Sequence, residues 1–187
     1  MNAARRRKHY LRTVFLLVLY GALLLFLFRS SGIGLVRVES GAMVPTIQRG
    51  NLLLTKSSRK VDRESLVVLE SPLHGENSRF LSIGSDTWII RFVAALPGET
   101  VVIRASDIIV FTAEDERVSF PNASPVAPDH FRGERQIVLG TDEIFLLASD
   151  DRYLDSREWG PIDRSALFGK VVFRFWPPAY IGILSSR

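Results

Sequence analysis

The residues of this 187-residue chain whose types and spacing could do chemistry fall in three short stretches. The first is Ser40-Gly41-Ala42-Met43-Val44-Pro45-Thr46, which on its own is a turn signal, Ser-Gly followed by Pro. The second is Ala95-Leu96-Pro97-Gly98-Glu99-Thr100-Val101-Val102-Ile103, which on its own is a hairpin. The third is Ser149-Asp150-Asp151-Arg152-Tyr153-Leu154-Asp155-Ser156-Arg157-Glu158-Trp159-Gly160-Pro161, a charged loop with acid–base pairs closed by a buried Trp; Leu167-Phe168-Gly169-Lys170-Val171 follows it. Other chemistries are excluded. There is no cysteine, which removes a disulfide scaffold, a thiolate nucleophile and a Cys-ligated zinc or iron–sulfur site. The three histidines, His9, His74 and His130, share no metal-ligand spacing, so the sequence predicts no metal site and no cofactor.

The elements that must position these stretches are legible in the pattern of charge and hydrophobicity. The formal net charge is +4, yet residues 1–29 carry Arg5, Arg6, Arg7, Lys8, Arg12 and Arg29 and no acid, which is +6. The remaining 18 Lys and Arg face 20 Asp and Glu, which is −2, so no basic face for nucleic acid exists in the body. Thr13 to Phe28 is an uncharged run of sixteen residues, about 24 Å long as a helix against a hydrocarbon core of about 30 Å, and it can extend into the uncharged stretch after Arg29. The sequence therefore predicts a basic tail over residues 1–12, a transmembrane anchor over 13–32 and an extracytoplasmic domain over 33–187, with the N-terminus cytoplasmic by the positive-inside rule. The competing reading of the head as a cleaved signal peptide suffers from a long apolar region and from Arg29 at the cleavage site. Past Gly34, short runs rich in Val, Ile and Phe predict strands over 33–39, 51–56, 65–70, 87–95, 99–104, 107–112, 135–139, 143–148 and 168–176, an all-β domain of antiparallel sheets. Two polar stretches, 71–86 and 113–134, read as long loops.

In this order, behind an anchor, the three stretches resemble the type I signal peptidases of the S26 serine peptidase family, membrane-anchored endopeptidases that remove signal peptides from exported preproteins. The family patterns are Ser-Gly-Ser-Met-x-Pro-Thr, then Lys-Arg-x-x-x-Leu-Pro-Gly-Asp, then Gly-Asp-Asn-Arg-x-x-Ser-x-Asp-Ser-Arg-x-x-Gly. The resemblance implies a signal-peptidase-like antiparallel β domain. It also implies a Ser nucleophile, a neutral Lys as general base whose amine is kept deprotonated by burial, and an oxyanion hole using the Ser two residues before the nucleophile. Here the nucleophile position is Ala42, which has no hydroxyl. Counting back from Pro97 without a gap puts Arg91 at the base position and Phe92 where the family has Arg; a one-residue gap puts Ile90 there instead. A guanidinium stays protonated at any working pH and cannot serve as a base. Tyr153 stands where the family has the Ser that orients the Lys. Ser40 (the oxyanion position), Met43, Pro45, Thr46, Asp155, Ser156 and Arg157 remain, as scaffold and cleft floor.

A deliberate Ser→Ala inactivation would account for Ala42 alone; loss of the whole constellation fits a natural pseudoenzyme. Lys56, Lys60 and Lys170 lie outside the base motif and read as solvated or structural, and His130 reads as an exposed loop histidine. Burial of Arg91 predicts a carboxylate partner, Asp155 or Asp151. The expected function is a signal-peptidase-like binding or assembly factor for signal peptides or exported preproteins. Its partners would be membrane lipid and an active signal peptidase or a secretion complex. The alternatives are an active signal peptidase whose sequence carries engineered or non-standard active-site residues, and a membrane-tethered β domain with another partner. The apolar stretch from Phe173 to Leu184 would, by the same resemblance, contribute to an edge pressed on the bilayer; against that, residues 171–176 read as ordinary core strand, and 179–184 is too short to span.

Overall fold

A computed structural model describes residues 3–70, 88–104, 107–114, 116–119, 135–150 and 152–184. The chain divides into two compact units, residues 1–33 and 34–187. The first holds helix α1 (Ala3–Ser30). Among the described residues no helix is long and apolar enough to cross a membrane. The spanning role expected of residues 13–32 therefore does not follow from the structure.

The second unit is built of β1 (Ile33–Arg37), β2 (Leu52–Lys56), β3 (Leu66–Glu70), β4 (Trp88–Ala95), β5 (Thr100–Ile103), β6 (Ile108–Phe111), β7 (Arg117–Ser119), β8 (Arg135–Val138), β9 (Glu143–Leu147), α2 (Ser156–Trp159), β10 (Ile162–Asp163), β11 (Leu167–Trp176) and β12 (Gly182–Ile183). An eight-stranded sheet runs β1-β2-β11-β3-β4-β9-β10, with β12 also on β11, and a four-stranded sheet runs β7-β6-β5-β8. Every ladder with a described register is antiparallel. The nine expected strands are present, each within a residue or two of its expected ends. β7, β10, β12 and α2 were not anticipated, because elements of two to four residues are too short to display a period. Stretch 71–86 and most of 113–134, with His74 and His130, lie outside the described residues.

The central strands read as unbroken apolar runs because both their faces are covered. Along β3, Leu66 and Val68 face one cluster and Val67 and Leu69 another; along β9, Phe145 and Leu147 face the first and Ile144 and Leu146 the second. The first cluster also contains Val101, Ile103, Ile108 and Val110 and so joins the two sheets. The second, on the far face of the large sheet, is covered by Val61, Ile162, Leu167 and the half-buried Trp159 of α2.

Where β11 runs between β2 and β3 its register shifts between Leu167 and Gly169. A Cβ on Gly169 would stand 2.5 Å from the Lys56 carbonyl oxygen and 2.9 Å from its carbon, both backbone atoms that cannot step aside. Gly169→Ala is expected to lower stability by about 1–3 kcal/mol, seen as a lower urea midpoint at an unchanged slope; an unchanged midpoint would show that the strands part freely here.

Candidate functional site

The first motif forms a tight turn beyond β1. The Val44 amide donates to the Gly41 carbonyl at 3.1 Å and the Ile47 amide to the Met43 carbonyl at 2.9 Å. The turn is stitched to the loop after β9, since the Ala42 carbonyl accepts from the amides of Ser149 (2.8 Å) and Asp150 (3.2 Å). The Gly41 amide donates to the Tyr153 hydroxyl at 3.3 Å, and the Ala42 amide to the Ser40 hydroxyl at 3.4 Å. Ala42 is wholly buried (0% exposed) and Met43 is buried, whereas Val44, Pro45 and Thr46 are exposed. The Thr46 carbonyl accepts from Arg174 Nη1 at 2.9 Å, and Arg174 Nε donates to the Tyr180 carbonyl at 2.7 Å, so one β11 side chain clips the motif turn to the C-terminal hairpin. Nothing in the sequence marked Arg174 for that task.

On β4 the side chains alternate between the two faces of the large sheet. Ile90, Phe92 and Ala94 belong to the cluster that contains Ala42 and Met43, while Ile89 and Val93 belong to the cluster on the opposite face. Arg91 shares the parity of Ile89 and Val93. Its guanidinium lies 5.6 Å from the centre of the Trp159 ring, on the α2 side of the sheet. Ile90 thus shares the cluster of Ala42, while Arg91 reaches the Leu154 carbonyl, next in the chain to the Tyr153 that meets the Gly41 amide.

The expected carboxylate partner of Arg91 is also corrected. Arg91 is 3% exposed and binds carbonyls: Nε and Nη2 donate to Leu154 O at 3.1 and 2.6 Å, and Nη1 to Ile90 O at 2.7 Å. Among the described residues no carboxylate hydrogen-bonds to it, and Asp151 lies outside them. Burial lowers its pKa to about 10, with Asp155 the largest opposing influence, so the group stays charged at neutral pH and has no capacity as a base.

Asp155 is committed elsewhere. Its Oδ2 accepts from the Ala148 amide (2.8 Å) and Arg157 Nη2 (2.8 Å), and its Oδ1 from the amide and Nε of Arg157, both at 2.9 Å. It caps α2, and Glu158 returns a bond from the Asp155 amide at 3.0 Å, completing a capping box. The Ser156 hydroxyl accepts from the Leu146 amide at 3.0 Å, and the Arg157 carbonyl from Arg135 Nη2 at 2.9 Å. Asp155, Ser156 and Arg157 are all buried. They fasten the loop 148–155 to β9 and so hold Tyr153 over the motif turn. The buried Glu99 of the second motif binds Arg63 and the Leu96 amide, the latter at 2.8 Å, and so holds its turn.

Among the described side chains of the second unit, no lysine hydrogen-bonds to the turn. Lys170 pairs with Asp62 at 2.8 Å, which holds the Asp62 carboxyl below its ordinary range, and Lys56 and Lys60 are exposed. An open polar groove of about 490 Å³, lined by Arg59, Lys60, Asp142, Asp163, Arg164 and Ser165, contains no motif residue. No group of acidic or histidine side chains among the described residues could hold a metal ion.

This order of motifs on an antiparallel β domain is matched by the profile of the family described as signal peptidase, peptidase S26, over residues 8–176. The chain belongs to this family. Within it, thylakoidal processing peptidase 1 of Arabidopsis thaliana is 26% identical over 162 residues, covering 83% of this chain and 45% of that protein. Signal peptidase I of Leptolyngbya laminosa is 24% identical over 156 residues, covering 79% of this chain and 70% of that protein. A crystal structure of a signal peptidase I from Enterococcus faecalis V583 aligns at a TM-score of 0.41 and 17% identity, over 59% of this chain and 96% of that one. The chain thus spans less than half the length of the thylakoidal relative.

Proposed function

We propose that this member of the signal peptidase family binds signal peptides or the exported chains that carry them and does not cut them. The observation that supports this most directly is the surroundings of Ala42. A wholly buried methyl group stands at the nucleophile position, packed in one apolar cluster with Ile90 and Phe92. In this reading Ile90 takes the base position, and a hydrocarbon can neither accept a proton nor orient a hydroxyl. Arg91, one residue on, serves the scaffold by holding Leu154. Ser40 keeps the oxyanion position, and Met43, Pro45 and Thr46 form the floor on which an extended peptide adds as a strand.

The same reading makes residues 13–32 a single-pass anchor with the basic tail 1–12 in the cytoplasm and the domain 33–187 on the extracytoplasmic side, since sixteen uncharged residues follow a cluster of basic ones. The apolar C-terminal hairpin, with Trp176, Tyr180, Ile181 and Ile183 exposed, then meets membrane lipid. Partners are the peptides themselves and an active signal peptidase or secretion complex that the bound chain serves; nucleic acid is not among them.

The competing reading, an active peptidase, draws on the named activity of the relatives. The two separate when the full-length chain, in detergent or lipid, is mixed with a preprotein bearing a small-x-small site. Binding that saturates, with no cleavage while an authentic signal peptidase cuts the same sample, is the expected result. Cleavage at that site would overturn the binding-only reading.

A further inference from the structure

Two hydroxyl groups at the motif turn are half used. Tyr153 Oη accepts from the Gly41 amide and Ser40 Oγ from the Ala42 amide, yet among the described residues neither hydroxyl proton has an acceptor. A hydroxyl carries one donor beside its acceptor lone pairs, and accepting a bond polarises it and strengthens it as a donor. The two oxygens sit on the amides of successive residues, Gly41 and Ala42, which brings both hydroxyls to one turn. The Ser40 and Tyr153 side chains are half-buried, within reach of a ligand and partly withdrawn from water. Asp150, a charge on the same loop that would oppose an anion, is neutralised by Arg152, whose Nε lies 3.0 Å and Nη2 2.6 Å from its carboxylate.

We propose that the hydroxyls of Ser40 and Tyr153, held in place by the Gly41 and Ala42 amides, bind the free C-terminal carboxylate of a peptide that has already been cut. This rests on the peptide-binding reading and names the peptide's form. Two donors on separate residues suit an acceptor with two oxygens, whereas the carbonyl of an uncut chain offers one. Bonds to an ionised acceptor are about twice as strong as neutral ones. The protein would then retain released signal peptides after an active peptidase has cut them.

The test uses the full-length chain in detergent and two peptides of one sequence ending small-x-small, one a free acid and the other a C-terminal amide. The acid is expected to bind about tenfold or more tightly than the amide. Tyr153→Phe and Ser40→Ala are each expected to bring the ratio of the two affinities close to one, with thermal unfolding confirming that each variant folds. Equal affinities in the unaltered protein would overturn the carboxylate proposal and leave peptide binding standing. Failure of both peptides to bind would overturn both. A ratio that persists in both variants would remove Ser40 and Tyr153 from the carboxylate site.

Discussion

Replacing Asp155 with alanine is expected to lower the unfolding free energy by about 3–5 kcal/mol, because it removes the carboxylate that faces a buried guanidinium. The Asp155 and Arg157 side chains are 0% and 4% exposed, and the carboxylate receives two bonds from the guanidinium and one each from the amides of Ala148 and Arg157. Removing it leaves Arg157 without its described carboxylate, leaves the Ala148 amide without an acceptor, and takes away the N-cap of α2, itself worth about 1 kcal/mol. Asp155→Asn keeps the shape and one acceptor oxygen, and is expected to fall between the two. For a chain of this size the alanine variant should melt roughly 10 °C lower. A shift of only a degree or two would mean that Arg157 finds another partner at little cost. The loop 149–154 hangs on this capping box, so peptide binding at the Ser40–Ala42 turn should weaken in parallel.

The second large effect concerns reconstruction of a cutting site. Ala42→Ser combined with Ile90→Lys is expected to cleave a small-x-small preprotein about a hundredfold faster than Ala42→Ser combined with Arg91→Lys, the span that a positioned general base supplies. The reason is the alternation along β4. Residue 90 shares a face with Ala42, and a lysine amine there enters an apolar cluster whose low polarity depresses its pKa and frees the neutral, proton-accepting form. Residue 91 shares the Trp159 side, and a lysine there is expected to stay on the Leu154 carbonyl and not enter the apolar cluster of Ala42. Arg91→Lys also gives up the forked bonds to Leu154 and Ile90 carbonyls, so that variant should melt lower. Initial rates and melting temperatures of the two double variants decide the matter. Equal rates, or a faster Arg91→Lys pair, would sink the assignment of the base position to residue 90.

Much of the domain is legible in its sequence for a reason visible along β3, β4 and β9. Strands covered on both faces read as short runs of Val, Ile, Leu and Phe between turn residues, and these need no tertiary knowledge to find. The capping box at Asp155 and Glu158 has a local sequence signature, an acid three residues before a Glu, but the four-residue α2 behind it is too short to add a period. The two-residue β10 and β12 carry no signal of their own; they exist because β9 and β11 present unpaired edges beside them.

By itself the sequence determined the antiparallel β class, the order of the three motifs, the missing hydroxyl at residue 42 and the absence of cysteine chemistry, because each is a matter of residue type and local period. Only the tertiary structure decided which side of β4 each residue occupies. A one-residue shift turns every side chain to the other face, and motif counting alone left Arg91 and Ile90 both open. Tertiary structure also decided the partner of Arg91, since a buried guanidinium can be satisfied by carbonyl dipoles as well as by an acid. And it alone brought Tyr153 to Gly41, 112 residues away in the chain, through a loop that Asp155 fastens from behind.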